Sequence, residues 1–281
     1  MQDYQKIDLN DYVQTGEGGT AVSYTHKNGN ALIKLYHAGF EADRAIEDFH
    51  TAKLVFEMGI PTPEPKCLVT DGQRYGAEYE LIKNKRSFAR IISQEPERLE
   101  ELTLEFARMT RDIHSTKADT TKLRSYRQML ISFYQEAKLL LPSFNELALS
   151  FLDKVPETPL CLHGDLHIGN IISDGKRTLW IDTGDFSYGV PELDLAMMYT
   201  MCFGIREEFC QNLFHVSSDV MHAHWNLFLP AYCGTNDKQK LNEFVKHLLP
   251  FYAVKVPYMY NMAFHASLPK DGLEQLVNLI R

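Results

Sequence analysis

Up to residue 82 the chain reads as short runs of alternating apolar and polar positions separated by turn residues. Beyond it, apolar positions recur every three or four residues, the spacing of helices. The alternation predicts strands over 31–36, 67–69 and 75–82, the last two joined at Asp71-Gly72. One amphipathic helix is expected over 41–58, stopped by Gly59-Ile60-Pro61. After Pro96, the residues Leu99, Leu102, Leu104, Phe106, Met109 and Ile113 mark a helix. Further helices are expected over 123–141, ending before Pro142, and over 144–155. The stretch 191–203 is almost wholly apolar and reads as a buried helix, and 206–281 as aromatic-rich helices. One interruption stands out: Ile171-Ile172 and Leu179-Trp180-Ile181 flank Ser173-Asp174-Gly175-Lys176, turn chemistry that predicts a β-hairpin. The pattern therefore predicts an α+β chain, with a small antiparallel β-rich lobe carrying one helix over 1–82 and a larger, mostly helical lobe over 83–281.

Composition narrows the function. The chain of 281 residues has the apolar and charged fractions of an ordinary globular protein. A net charge of −8 argues against nucleic-acid binding, which needs a basic face. No apolar run approaches the ~18 residues that cross a bilayer. The start, MQDYQKIDLNDY, has no cationic and then apolar leader, so no membrane partner and a cytoplasmic location are expected. The 5 cysteines are scattered with no CxxC pair, and support neither a disulfide framework nor a thiolate metal site.

The candidate chemistry collects at the ends of the hairpin. Asp165 and Asn170 precede its first strand and Asp182 follows its second, so three oxygen-bearing side chains converge, a set suited to Mg²⁺ and a phosphate. Earlier, TGEGGTAVSY supplies Gly16, Gly18 and Gly19, whose backbone N–H groups can approach a phosphate without a Cβ in the way. In the strand that follows, alternation puts Lys34 on the face opposite Ile33 and Leu35. Glu47 lies two turns into the next helix, where an acid could fix the Lys34 ammonium, with Asp48 the neighbouring candidate. Glu80 and Ile82 end the strand that runs into the lobe junction, where backbone groups could meet a planar ring. Asp194, a charge in an apolar helix, is expected to answer nearby backbone donors and brace the loop.

In order along the chain, Gly16 to Ala21, Lys34, a helical acid, His163-Gly164-Asp165, Asn170 and Asp182-Thr183-Gly184 resemble the aminoglycoside phosphotransferase family, the small-molecule branch of the protein-kinase-like fold. The step from Asp165 to Asn170 matches that from Asp to Asn in H-R-D-x-x-x-x-N, and Asp182-Thr183-Gly184 stands where kinases carry D-F-G. The resemblance implies a bilobal fold and an ATP-dependent (or GTP-dependent) phosphotransferase acting on a hydroxyl of a small molecule. It implies that Asp165 accepts or orients the hydroxyl proton, and that Asn170 and Asp182 hold Mg²⁺. Lys34, braced by Glu47, would bind the α- and β-phosphates.

Some positions depart from the pattern: Ala21 stands where kinases have a third loop glycine, and Thr183 replaces the usual aromatic. His163 resembles the histidine that buttresses the loop, and His167 has no fixed duty. Two other readings exist. A nucleotide-binding pseudokinase would use the fold as a scaffold, and a metal-dependent hydrolase would hold zinc with the alternating His163, Asp165 and His167. A protein kinase is disfavoured by the short interval from Asp182 to Val190-Pro191-Glu192. Acids and bases balance from 197 to 281, so the acceptor stays open among aminoglycosides, amino sugars, choline-like and other metabolites.

Overall fold

The alternating part of the chain builds a six-stranded sheet. Its strands are β1 (Gln5–Lys6), β2 (Tyr12–Glu17), β3 (Ala21–His26), β4 (Leu32–Tyr36), β5 (Pro65–Thr70) and β6 (Tyr75–Tyr79), in the order β1-β5-β6-β4-β3-β2. Within this sheet, among the described residues, only the β1–β5 pair runs parallel. The computed structural model from which this follows describes residues 4–17, 20–39 and 42–281. It falls into two units: Met1–Arg86 with Asn170–Asp185, and Ser87–Gly169 with Phe186–Arg281. The first unit thus extends past residue 82 and takes in the hairpin.

Strand alternation sorts the first unit's two faces. Ile33 and Leu35 are fully buried and pack with Ile7 and Val69, covered by Leu9, Tyr12 and Tyr24. Lys34 takes the other face, opposite Ala77 across the β4–β6 ladder. On that face Leu68 and Ala77 receive Phe49 of helix α1 (Ala42–Glu57). The hairpin forms as the turn residues predict, pairing Ile171 with Trp180, Ile172 with Leu179 and Ser173 with Thr178. Asp174 Oδ1 accepts from the N–H groups of Lys176 and Arg177, and Gly175 takes the left-handed conformation at φ 86. Ile172, Leu179 and Ile181 then pack on Ile82, and the Trp180 N–H donates to the Pro61 carbonyl at 2.8 Å.

The second unit is helical: α2 (Phe88–Gln94), α3 (Leu99–Ser115), α4 (Tyr126–Glu136), α5 (Pro142–Lys154), α6 (Glu192–Tyr199), α7 (Glu207–Phe214), α8 (Ser218–Cys233), α9 (Lys238–Phe264) and α10 (Lys270–Ile280). Three details differ from the periodicity. Helix α2 has no counterpart among the expected elements; Ser87 caps it by accepting from the Arg90 N–H, and it buries Phe88, Ala89, Ile91 and Ile92. The stretch 123–141 is helical only over α4, because Ser125 caps its start and Ala137 turns extended at its end. Pro142 opens α5 at its first turn, where its missing N–H costs nothing. No helix among the described residues is long and apolar enough to cross a membrane.

Candidate active site

The first unit holds a pocket of about 290 Å³, near the small end for ligand sites. Gly16, Ala21, Ser23 and Leu32 line it from β2 to β4, Tyr79, Glu80 and Ile82 from the end of β6, and Ile172, Ile181 and Asp182 from the hairpin. Its lining combines apolar side chains, such as Leu32, Ile82 and Ile172, with charged ones, such as Lys34 and Asp182, a mixture that suits a ligand with a planar ring and an anionic tail. Thr62 adds a buried hydroxyl with no hydrogen-bond partner among the described residues, and it too lines the pocket. Gly18 and Gly19 lie outside the described residues.

Among the charged lining residues, the Lys34 ammonium donates to the Asp182 carboxylate. Burial works against the lysine's charge, but Asp182 outweighs it and holds the ammonium above its ordinary value. Asp182 has φ 59, in the left-handed region that costs a non-glycine residue energy, as residues at functional sites often do. Asn170 is buried; its carbonyl accepts from the Ile181 N–H at 2.9 Å, which sets it one residue across from Asp182. Hairpin pairing therefore brings Asn170 and Asp182 to the same end of the ladder.

The acid that reaches this region from α1 is Asp48, not Glu47. Glu47 is exposed. Asp48 lines the pocket, accepts from the Tyr36 hydroxyl and pairs with Arg44 at 3.2 Å. Burial pushes its carboxyl up, against the Tyr36 and Arg44 interactions that favour the charge. Arg44 also reaches Asp185 at 3.4 Å. A Cβ on Gly184 would come within 2.7 Å of Asp48 Oδ2, so glycine lets the Asp182-Thr183-Gly184 segment close on α1. Three other lining residues carried no mark in the sequence. Tyr79 is pushed up to about 12 by burial, Lys85 is pushed down by burial, and Thr62 is the orphan hydroxyl above. Glu80 turns its side chain to Arg177 at 2.9 Å, while its N–H donates to the Glu64 carbonyl.

Asp165 belongs to the second unit, on a loop held by Asp194 of α6. Asp194 is fully buried and accepts from the His163 N–H at 2.6 Å, the Gly164 N–H at 2.8 Å and His114 Nε2 at 3.2 Å. His114 Nδ1 in turn meets the Tyr232 hydroxyl at 2.8 Å. The expectation that a charge in an apolar helix answers backbone donors describes Asp194 well. His163 is buried with its Nδ1 accepting from the Asp165 N–H at 3.3 Å, a packing role. His167 Nε2 lies 3.4 Å from Asp165 Oδ2. Among the described residues no group of three His, Cys, Asp or Glu side chains forms a metal site, so His163, Asp165 and His167 do not make the zinc triplet of the hydrolase reading.

The model of the phosphotransferase enzyme family, APH, matches residues 14–225. The chain belongs to this family, and it is a small-molecule phosphotransferase of the kinase type. No curated protein sequence matches it. Several solved structures do. One is a choline/ethanolamine kinase family protein from Mesorhizobium loti, 12% identical at TM-score 0.58, covering 96% of this chain and 88% of that one. Another is a thermostable mutant of aminoglycoside phosphotransferase APH(4)-Ia with ADP and hygromycin B, 11% identical at TM-score 0.61, covering 96% and 92%. A third, an APH(2") enzyme with GDP and kanamycin, is 13% identical at TM-score 0.53, covering 98% and 93%. At such identities the likeness is one of fold: the chain has the α+β, bilobal protein-kinase-like fold that its motifs implied.

Proposed function

We propose that this protein transfers the γ-phosphoryl group of ATP or GTP to a hydroxyl of a small metabolite. The observation that carries this reading is the meeting of Lys34, from the middle of the sheet, with Asp182, from the end of the hairpin, in a pocket that apolar side chains also line. That arrangement suits a nucleotide, with the base among Ala21, Leu32, Ile82 and Ile172 and the phosphates toward Lys34. Solved neighbours hold ADP or GDP. Asp182 and Asn170 offer oxygen donors alone, as a hard cation demands, and would hold Mg²⁺. When bound, Mg²⁺ neutralises charge on the transferring phosphoryl group. Lys34 binds phosphate oxygens, with Asp48 of α1 as the acid behind the site in place of Glu47. Asp165 accepts a hydrogen bond from the acceptor hydroxyl and takes its proton as the bond to phosphorus forms.

Phosphoryl transfer needs positioning and charge neutralisation more than covalent chemistry, and these residue types supply both. A cytoplasmic location is part of the reading, since the nucleotide and Mg²⁺ are supplied there. The acceptor class is a hydroxylated metabolite, and the balance of acids and bases over residues 197–281 selects neither a cationic nor an anionic one. The test is a panel of aminoglycosides, amino sugars, choline-like alcohols and sugars, assayed for ADP or GDP release with Mg²⁺. The expected result is acceptor-dependent release, lost in Asp165→Asn. Nucleotide binding with no transfer to any acceptor would overturn the reading.

A further inference from the structure

Lys255, on α9, is buried to 1% exposure, and the phosphoryl-transfer reading gives it no task. Its Nζ sits 3.3 Å from the Gly164 carbonyl, 4.1 Å from the centre of the Tyr126 ring and 5.7 Å from that of Tyr258. Among the described residues no carboxylate lies within ion-pair distance of it. An amine so placed is costly: burial pushes it down to about 7, and a methionine of similar length would fill the same space without the penalty. Packing alone does not explain a lysine here, whereas its single hydrogen bond points to the loop.

The Gly164 carbonyl and the Asp165 N–H belong to one peptide group. Lys255 holds the carbonyl, and His163 Nδ1 holds the N–H at 3.3 Å. The preceding peptide is fixed through the Gly164 N–H by Asp194 at 2.8 Å. Gly164 itself takes φ 84, a conformation that a side chain would strain, so the loop turns sharply just before Asp165. The rings of Tyr126 and Tyr258 hold the amine in place from the sides. Charged or neutral, the amine donates to a carbonyl, so the clamp works in both states.

We infer that Lys255 is a positioning residue that fixes the peptide leading into Asp165, and so sets the aim of the Asp165 carboxylate at the acceptor hydroxyl. This rests on the proposed role of Asp165. A misplacement of about 1 Å at a reacting group can cost on the order of a hundredfold in rate.

The test compares Lys255→Met, which keeps the length and loses the donor, with Lys255→Gln, which keeps a shorter donor. Turnover, nucleotide affinity and melting temperature are measured for both, with Asp165→Asn alongside. The expected result is a fall in kcat of about tenfold or more for the Met variant and less for Gln. Nucleotide affinity should match wild type, and the melting temperature of the Met variant should be equal or higher. Opposite movement of stability and turnover is the signature, because a purely structural lysine would lower both. A Met variant with wild-type kcat, one that loses stability and turnover together, or one that fails to fold would overturn the inference. If Asp165→Asn keeps its turnover, the role of Asp165 fails instead. If Asp165→Asn is inactive while Lys255→Met is unaffected, the positioning role alone fails.

Discussion

Two lysines in this chain sit in opposite electrical surroundings. In the first unit Lys34 meets Asp182, which lifts its ammonium above the ordinary value and keeps the charge fixed. In the second unit Lys255 meets no carboxylate among the described residues, and burial pushes it down to about 7. The pocket therefore concentrates paired charge, ready to be redistributed over an anionic ligand. The Asp165 loop instead is held through backbone hydrogen bonds to Asp194 and Lys255, groups set deep behind it. Charge in one region binds and in the other aims. Folding strips Lys255 of its proton above pH 7, so its cost is greatest below that value and fades as pH rises toward the ordinary lysine range.

The largest expected effect tests the pocket. Asp182→Ala should lower Mg²⁺-dependent turnover by about a thousandfold or more, about 4 kcal/mol of transition-state stabilisation. Steady-state assay over a range of Mg²⁺ checks it, and turnover near wild type would remove Asp182 from the metal site. Next in size is an effect in the second unit with no ligand involved. His224 is buried on α8, with Nδ1 at 2.7 Å from Thr103 Oγ1 and Nε2 without a partner among the described residues, and burial pushes it down to about 3. As pH falls below the ordinary histidine value, the unfolded chain takes a proton that the folded chain refuses, so stability falls. Between pH 6.5 and 4.5 this loss amounts to about 2 kcal/mol. Denaturant unfolding of wild type and His224→Phe at both pH values checks it; the variant should lose that much less. Equal losses in the two proteins would show that His224 is protonated in the fold.

How much of this was legible follows from how local each signal is. Lys34 on the face opposite Ile33 and Leu35 was readable because strand alternation is local. So was the hairpin, since Asp174 and Gly175 make the turn with their own atoms. Asp194 was readable because a charge within an apolar helix has few ways to be satisfied. The choice between Glu47 and Asp48 was not, because neighbours on a helix differ by about a quarter turn and only docking against Gly184 and Tyr36 selects one. Lys255 looked like any lysine in a long helix. Its burial depends on Tyr126 and the Gly164 carbonyl, which lie far away in sequence. Helix α2 was too short to show a period.

Of middling size is a backbone effect on the pocket's wall. Gly76 on β6 faces Leu35 on β4, and a Cβ there would lie 1.9 Å from the Lys34 carbonyl oxygen. Gly76→Ala must therefore push β6 and β4 apart, at a cost of about 1–3 kcal/mol. Because the displaced strand carries Lys34, nucleotide affinity should fall along with thermal stability. Calorimetric binding and thermal unfolding would show it, and an unchanged melting temperature would mean that the two strands are not so close.

The smallest effect is the sharpest test of which acid serves the pocket. Glu47 is exposed on α1, so Glu47→Gln should change stability by no more than about 0.5 kcal/mol and leave turnover as it was. Asp48→Asn keeps the shape against Gly184 but gives up the charge that Tyr36 and Arg44 answer. Its cost should be about 1 kcal/mol, seen as weaker nucleotide binding, since charge-assisted hydrogen bonds exceed neutral ones by roughly that much. The two substitutions sit one residue apart on the same helix, so a general loss of helicity would affect both alike. If Glu47→Gln weakens nucleotide binding and Asp48→Asn does not, α1 docks in another rotation when nucleotide is bound. The acid behind Lys34 would then be Glu47, as the motif alone suggested.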